Sequence, residues 1–207
     1  MPHSEVELVV ANGRSVGFDY RLADGDRIAV YPMFEAIDVG PALRLRPCPL
    51  RRTAFVVDVN LGRLARRLRM LGFDTAYRNN YKDAEVVRQS VDEHRIILTR
   101  DRRLLFHRAV THGLWIRSTD IDRQLVEVLD RLDLHGSVEP FRRCIECNGE
   151  VEPVARERIE DRLEPLTRRH YDEFYRCLHC GRIYWPGSHY EHMQSTLARL
   201  GIQCPVP

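Results

Sequence analysis

No apolar run in these 207 residues approaches the roughly 20 positions that a membrane-crossing helix needs. The first ten residues lack both the basic start and the long apolar stretch of a signal peptide, and with the cysteines read as reduced thiols the expected location is the cytoplasm. No Walker loop, no G-x-S-x-G elbow and no G-x-G-x-x-G run is present, which removes the nucleotide-binding and serine-hydrolase classes that those motifs serve. Lysine is nearly missing from the middle of the chain. Of the seventeen basic residues between positions 51 and 135, only Lys82 is not arginine. Those seventeen face twelve acids, whereas residues 1–50 carry five basic and seven acidic side chains. Arginine's planar fork suits phosphate. So complete a bias reads first as base composition, and it supports a nucleic-acid partner only weakly.

What is there is that of a globular protein, 43% apolar and 30% charged, long enough for one full domain and one or two small modules. Cysteine is sparse but organised. Cys144 and Cys147 form one C-x-x-C pair, Cys177 and Cys180 a second, with twenty-nine residues between them. Two such knuckles predict a tetrahedral site of four thiolates at about 2.3 Å around one structural Zn²⁺. Asn148, Gly149 and Gly181 supply the turns. Two disulfides are the competing reading, but nothing here resembles a secreted chain. Four thiolates leave no position open for water, so the chemistry must lie elsewhere. Cys48 and Cys204, each beside a proline, have no such partner and read as incidental.

Three segments follow from patterning. Residues 1–49 hold short strands over Glu5–Val10 and Arg27–Tyr31, a hairpin signal at Asn12-Gly13, a turn at Asp24 to Asp26, and then a linker. The linker contains Pro41, Pro47 and Pro49 with Arg44, Arg46 and Arg51. So few strands make part of a domain, not an independent core. Residues 54–135 alternate apolar strands (54–59, 73–77, 96–99, 114–117) with helices. The first helix presents Leu61, Leu64, Ala65, Leu68 and Leu71 and stops at Gly72. The second, Asp83–Glu93, turns Val86, Val87 and Val91 inward. Residues 101–111 and 121–132 are helical. Unbroken apolar strands between amphipathic helices predict an α/β fold, a parallel sheet covered on both faces. Residues 141–193 carry the ribbon, and a short helical tail ends near Gly201 and Pro205.

Ligands bind at the carboxyl ends of such strands. Asp58 interrupts an apolar strand near that end, Asp101 follows the strand 96–99, and Asp120 follows 114–117. Glu85, in the first turn of the second helix, could face the same cleft. Gathered carboxylates need a compensating cation, and Mg²⁺ or Mn²⁺ are the hard cations that oxygen ligands take. Such a metal activates water for phosphodiester hydrolysis. The expected span among Asp58, Asp101 and Asp120 is about 4 Å, that of a bridged metal site. The competing readings are structural. Asp101 and Asp120 precede helices as N-caps do, Asp83 also reads as an N-cap, and Glu85 favours the helix dipole. Asp74 reads as a turn residue. His94, His107 and His112, and the arginines at 63, 66, 67 and 69, read as mostly surface.

Phe55 to Asp58, Leu61 to Arg66 and Leu68 to Phe73 resemble the opening of the Mut-seven C-terminal RNase family, a branch of the PIN-like nucleases. Leu98 to Arg102 with Leu104 resemble its second signature. Arg143, Cys144, Cys147, Asn148 and Gly149, then Tyr171 to Phe174, Cys177, Cys180, Gly181 and Tyr184 to His189, resemble its zinc-ribbon end. The resemblance spans about 54–193. It implies a PIN-like fold, RNA as partner, and a metal-dependent endoribonuclease site at Asp58, Glu85, Asp101 and Asp120. Asp83 and Asp122 stand as alternatives to Glu85 and Asp120. Glu5, Val6, Asn12, Gly13, Asp19, Tyr20, Gly25, Asp26, Tyr31, Pro32, Phe34 and Glu35 are similar to the end of a ubiquitin-like, sulfur-carrier-like domain. The first strands and helix of that β-grasp are missing, so either the start lies upstream or the half-domain is real, and no Gly-Gly follows, which argues against a carrier or conjugation role. The expected alternative to an enzyme is a non-catalytic RNA-binding or ribosome-associated module. Oligomeric state is open.

Overall fold

A computed structural model describes residues 2–33, 42, 44–45 and 53–202. The expected linker residues Pro41, Arg46, Pro47, Pro49 and Arg51, with Phe34, Glu35, Cys48, Cys204 and Pro205, lie outside the described residues. The chain forms two compact units, one of Met1–Ala65 with Thr75–Ser137, the other of Arg66–Asp74 with Val138–Pro207. Among the described residues, no helix is long and apolar enough to cross a membrane.

The first unit opens with an antiparallel sheet of β1 (Val6–Ala11), β2 (Arg14–Val16) and β3 (Ile28–Pro32), in the order β2-β1-β3. Asn12 and Gly13 both take positive φ, 51° and 80°. That is the backbone a two-residue hairpin requires, and glycine and asparagine reach it at least strain. The segment is built into the unit through three residues ahead of β1. The His3 ring meets the Val110 carbonyl at 2.9 Å and the Ser4 hydroxyl donates to that of Leu105. Glu5, only 1% exposed, accepts the Trp115 N–H at 2.7 Å and pairs with Arg131 at 3.0 Å.

That carboxylate makes a prediction. Glu5→Ala should cost about 3–5 kcal/mol, because it strips a buried ion pair and orphans a backbone donor. In a protein of this size the melting temperature should then fall by roughly 10 °C. Glu5→Gln keeps the acceptor for Trp115 and should cost only about 1–3 kcal/mol. Thermal unfolding of the two variants checks the order.

The second sheet has the order β5-β4-β6-β7, from β4 (Ala54–Val57), β5 (Asp74–Ala76), β6 (Ile96–Thr99) and β7 (Gly113–Trp115). It is parallel, with Val57 opposite Leu98 and Thr99 opposite Trp115. Helices α1 (Gly62–Met70), α2 (Asp83–Glu93), α3 (Arg102–Leu105) and α4 (Ile121–Leu132) flank it. Every side chain of β4 and β6 is buried, as a sheet covered on both faces requires. Val56, Val86, Val87, Ile97, Leu104, Leu105 and Val110 form one cluster of the core. Helices α2 and α4 and strand β6 have their expected bounds.

Five expectations need correction. Strand β4 ends at Val57, so Asp58 lies just past the strand and opens a 3-10 turn over Val59–Leu61. Helix α3 is four residues long, not eleven, because the chain turns instead at Phe106–Val110. There the His107 ring accepts the Ala109 N–H, offering the backbone an alternative to helix. Strand β7 is accordingly 113–115. Val91 is 43% exposed, since it sits past the Val86–Ser90 stripe as the helix rotates. His112 is buried, its ring meeting the Thr111 hydroxyl and its carbonyl accepting the Ile97 N–H.

In the second unit, β8 (Val151–Pro153), β9 (Tyr175–Cys177) and β10 (Ile183–Tyr184) form an antiparallel sheet in the order β10-β9-β8. Between β8 and β9 run two 3-10 turns and α5 (Pro165–His170), which fill the charged stretch. A small core of Ile159, Leu163 and Phe174 packs there. Helix α6 (Ser188–Arg199) starts earlier than the expected tail helix.

Candidate functional site

The carboxyl end of the parallel sheet is the first centre. Asp58 is 6% exposed, and its backbone N–H continues the ladder to the Leu98 carbonyl at 3.0 Å. The side chain is held twice. Its Oδ1 accepts the Val59 N–H at 2.7 Å, and its Oδ2 accepts the Thr99 hydroxyl at 2.9 Å. Thr99 in turn accepts the Asp101 N–H at 2.9 Å. One fully buried hydroxyl therefore ties the backbone of Asp101 to the carboxylate of Asp58. Tyr77 steadies the same turn by donating to the Val59 carbonyl at 3.1 Å, and its ring lies where a Cβ on Gly62 would be. Among the described residues no arginine or lysine pairs with Asp58.

The other expected acids take up helix ends. Asp101 accepts the Arg103 N–H at 2.8 Å and Asp120 the Arg123 N–H at 3.0 Å, each as an N-cap, and both are exposed. The N-cap of α2 is Lys82, not Asp83, and Glu85 folds back to accept its N–H at 2.9 Å. Glu85 also lines a cavity with Arg78, Tyr81 and Arg88. Asp122 lies within the first turn of α4. The expected approach of Asp58, Asp101 and Asp120 to about 4 Å is not met. Among the described residues, the only three or more Cys, His, Asp or Glu whose ligand atoms all lie within 4.8 Å are the four cysteines.

Those cysteines are the second centre. All four are free thiols, so the disulfide reading falls. The sulfurs of Cys144 and Cys180 lie 3.7 Å apart, and those of Cys147 and Cys177 lie 3.4 Å apart. A tetrahedron of 2.3 Å bonds sets its sulfurs about 3.8 Å apart, so the cluster is compatible with a zinc site. Asn148 and Gly181 take φ of 69° and 70°, as the knuckle turns require. Gly149 leaves the room, since a Cβ there would meet the Cys177 and Cys147 sulfurs. Around the thiols the environment divides. Burial pushes Cys144 up, but the Tyr184 hydroxyl at 2.9 Å and the N–H groups of Cys147 and Glu146 outweigh it and bring it down to about 7. Burial pushes Cys147 up to about 12 and raises Cys180 too. Tyr184, itself raised by burial and then by Cys144, is thereby kept as a donor.

Arg69 corrects another expectation. It is 4% exposed, not solvated, and its Nη1 donates to the carbonyls of Glu146 (2.7 Å) and Ile145 (3.2 Å) in the first knuckle. Arg66 pairs with Glu146 at 2.9 Å, and Asp74 accepts the Asn148 amide at 2.7 Å. Arg69→Met should therefore lower zinc affinity about 10- to 100-fold, the scale for partners that orient ligands. Competition with a chromogenic chelator reads this out. The sequence reading missed Thr99, Arg69 and Glu5. Thr99 had a signal, a hydroxyl closing an apolar strand, whereas Arg69 looked like its three neighbouring arginines.

A parallel α/β unit with a buried acid at its carboxyl edge, in one chain with a four-cysteine cluster compatible with a zinc site, marks a mixed α/β protein with a cysteine module. Residues 53–197 match the family model described as the Mut7-C RNAse domain, and residues 1–38 match that described as Mut7-C ubiquitin. The chain belongs to the Mut7-C RNAse domain family. No curated protein and no solved structure gives a significant match.

Proposed function

We propose that this chain is a divalent-metal-dependent endoribonuclease working at Asp58 and Asp101, with a structural zinc on Cys144, Cys147, Cys177 and Cys180. The family description carries a nuclease-like function, with RNA as the substrate class. The single observation that supports the site is Asp58, a buried carboxylate that no arginine or lysine among the described residues pairs with. An uncompensated buried charge is costly, and a bound cation offsets that cost. The donor set fits a hard cation. Each Asp58 oxygen accepts one hydrogen bond and keeps a lone pair, and the second oxygen of Asp101 is not used by the cap. Mg²⁺ is bound through one or two carboxylates and keeps its remaining waters, so a tight three-acid cluster is not required. A Mg²⁺ or Mn²⁺ held there supplies a Lewis acid that activates water and stabilises charge on a phosphoryl oxygen.

The residues themselves set the geometry. Thr99 fixes the rotamer of Asp58 and the position of Asp101 through one hydroxyl, and the Val59 N–H directs the other oxygen. Glu85 and Asp120 join the site in this reading by releasing their helix-end contacts, with Asp83 and Asp122 as the neighbouring alternatives. In this reading nuclease unit and thiolate module correspond to residues 54–135 and 141–193, after an N-terminal ubiquitin-like part. Zinc-bound thiolates also fit a reducing, cytoplasmic setting. A second reading, a non-catalytic RNA-binding module, draws on Asp101 and Asp120 being committed as caps. Incubating the zinc-loaded protein with single-stranded and structured RNA, with and without added Mn²⁺, separates the two. Metal-dependent cleavage supports the enzyme, and binding without cleavage supports the module.

A further inference from the structure

We propose that Trp115, Arg102 and Arg117 form a subsite that grips single-stranded RNA beside the proposed carboxylate centre. The proposal deepens the ribonuclease reading and rests on it for the identity of the polymer. The placement comes from the sheet. Trp115 is the last residue of β7 and lies in register with Thr99, the residue whose hydroxyl holds Asp58. Its indole N–H donates to the Arg100 carbonyl at 3.3 Å, immediately before Asp101. The Trp115 backbone is fixed on both sides, its N–H by the buried Glu5 and its carbonyl by Arg131 at 3.2 Å. The ring is therefore held on a rigid strand end.

Two cations lie over that ring. The guanidinium carbon of Arg102 is 4.9 Å from the ring centroid and that of Arg117 is 5.4 Å. Two like charges thus sit no further apart than about 10 Å, a Debye length at 0.1 M salt. Both arginines are exposed, and among the described residues neither guanidinium pairs with a carboxylate, although the Arg117 backbone N–H donates to Glu127 at 3.1 Å. The guanidinium groups of Arg100 and Arg103, exposed on either side of Asp101, likewise pair with no carboxylate among the described residues. Trp115 does pack partly on the core, but core filling needs no cations around it. Guanidinium edges free of carboxylates match phosphate oxygens in two-pronged geometry. Once a guanidinium over it turns to phosphate, the indole stacks any base without reading sequence, and an unpaired strand is what splays its bases out for stacking. The ligand class is accordingly a single-stranded phosphodiester chain, its phosphates on Arg102 and Arg117 and a base against Trp115.

The test uses full-length, zinc-loaded protein carrying Asp58→Asn, so that RNA is bound and not consumed, with a labelled single-stranded oligoribonucleotide. Arg102→Gln with Arg117→Gln should weaken binding at least tenfold at 0.1 M salt. The slope of log affinity against log salt should fall by about 1.4, the share of two phosphate contacts on a single strand. Both side chains are exposed, so the melting temperature should not move. In a Trp185→Phe background, where Trp115 is the remaining tryptophan, the oligonucleotide should quench its emission. Unchanged affinity and salt slope, with no quenching, would overturn the subsite even if the unsubstituted protein cleaves RNA. So would a duplex that binds equally well without quenching. Weakened binding in the arginine variant, in a protein that never cleaves RNA with Mn²⁺, would uphold the subsite and defeat the nuclease reading.

Discussion

Asp58→Asn is expected to reduce RNA cleavage by about a hundredfold to ten-thousandfold in a protein that still folds. The rate effect follows from charge. The amide keeps the size of the carboxylate but loses the anion that would hold a metal, and metal stabilisation of the transition state is worth several kcal/mol, with each factor of ten costing about 1.4 kcal/mol. The stability effect follows from the two hydrogen bonds. The asparagine Oδ1 still accepts the Val59 N–H, but the amide nitrogen faces the Thr99 hydroxyl that Oδ2 had accepted. One charged hydrogen bond is lost, at about 1.5–3 kcal/mol, which lowers the melting temperature by roughly 3–12 °C. The two effects are separable on one sample. A structural aspartate would lose activity only in proportion to folded protein, so a large rate loss at a temperature well below the melting point assigns the residue to the chemistry. Unchanged cleavage would remove Asp58 from the site.

Loss of the four-thiolate centre is expected to unfold one unit and spare the other. Around its three short strands the unit of residues 66–74 and 138–207 has a small apolar cluster of Ile159, Leu163 and Phe174, and among the described residues it also buries Leu68, Leu71, Phe73, Met193 and Leu197. Apolar cores of this size rarely stand alone, and zinc bound by cysteine modules contributes an apparent 10–16 kcal/mol, roughly, of folding energy. Cys177→Ser removes a buried ligand. Hydrogen exchange should then show lost protection across 143–199. The Asp58 N–H on the Leu98 carbonyl and the Ile116 N–H on the Thr99 carbonyl should stay protected. Arg69 predicts where the damage spreads. Without the knuckle its buried guanidinium loses the Ile145 and Glu146 carbonyls, so the end of α1 should fray as well. Protection lost uniformly over both units would mean that the metal module and the sheet fold as one.

Much of the fold could be read from sequence where the signal is local. Helices α2 and α4 have apolar periodicity and their bounds agree with the pattern, although the cap of α2 is Lys82 and its Val91 faces out. The knuckles were legible because a two-residue spacing forces two sulfurs toward one point. Tertiary competition hid the rest. The region after Asp101 has helix-forming residues, yet turn bonds at His107 end α3 after one turn. Arg69 is indistinguishable from Arg66 or Arg67 until the first knuckle folds over it. The acids show the same limit. Strand-end position placed Asp58 and Asp101 at one sheet edge, where Thr99 links them, but not their side-chain directions. Asp101, Asp120 and Glu85 each found a nearer partner in an unpaired helix N–H.

The central claim is that Asp58 and Asp101 hold a divalent cation on which RNA cleavage depends. Mn²⁺ binding followed by electron paramagnetic resonance, with cleavage of labelled RNA read in the same tubes, tests it most directly. The protein should be freed of loose metal by passage over a metal-scavenging resin and not by EDTA, which would also attack the zinc. The unsubstituted protein should bind Mn²⁺ at a site that saturates together with cleavage. The Asp58→Asn, Asp101→Asn variant, with its zinc content unchanged, should lose both. Equal Mn²⁺ binding by the two proteins, or equal cleavage with and without the metal, would contradict the account.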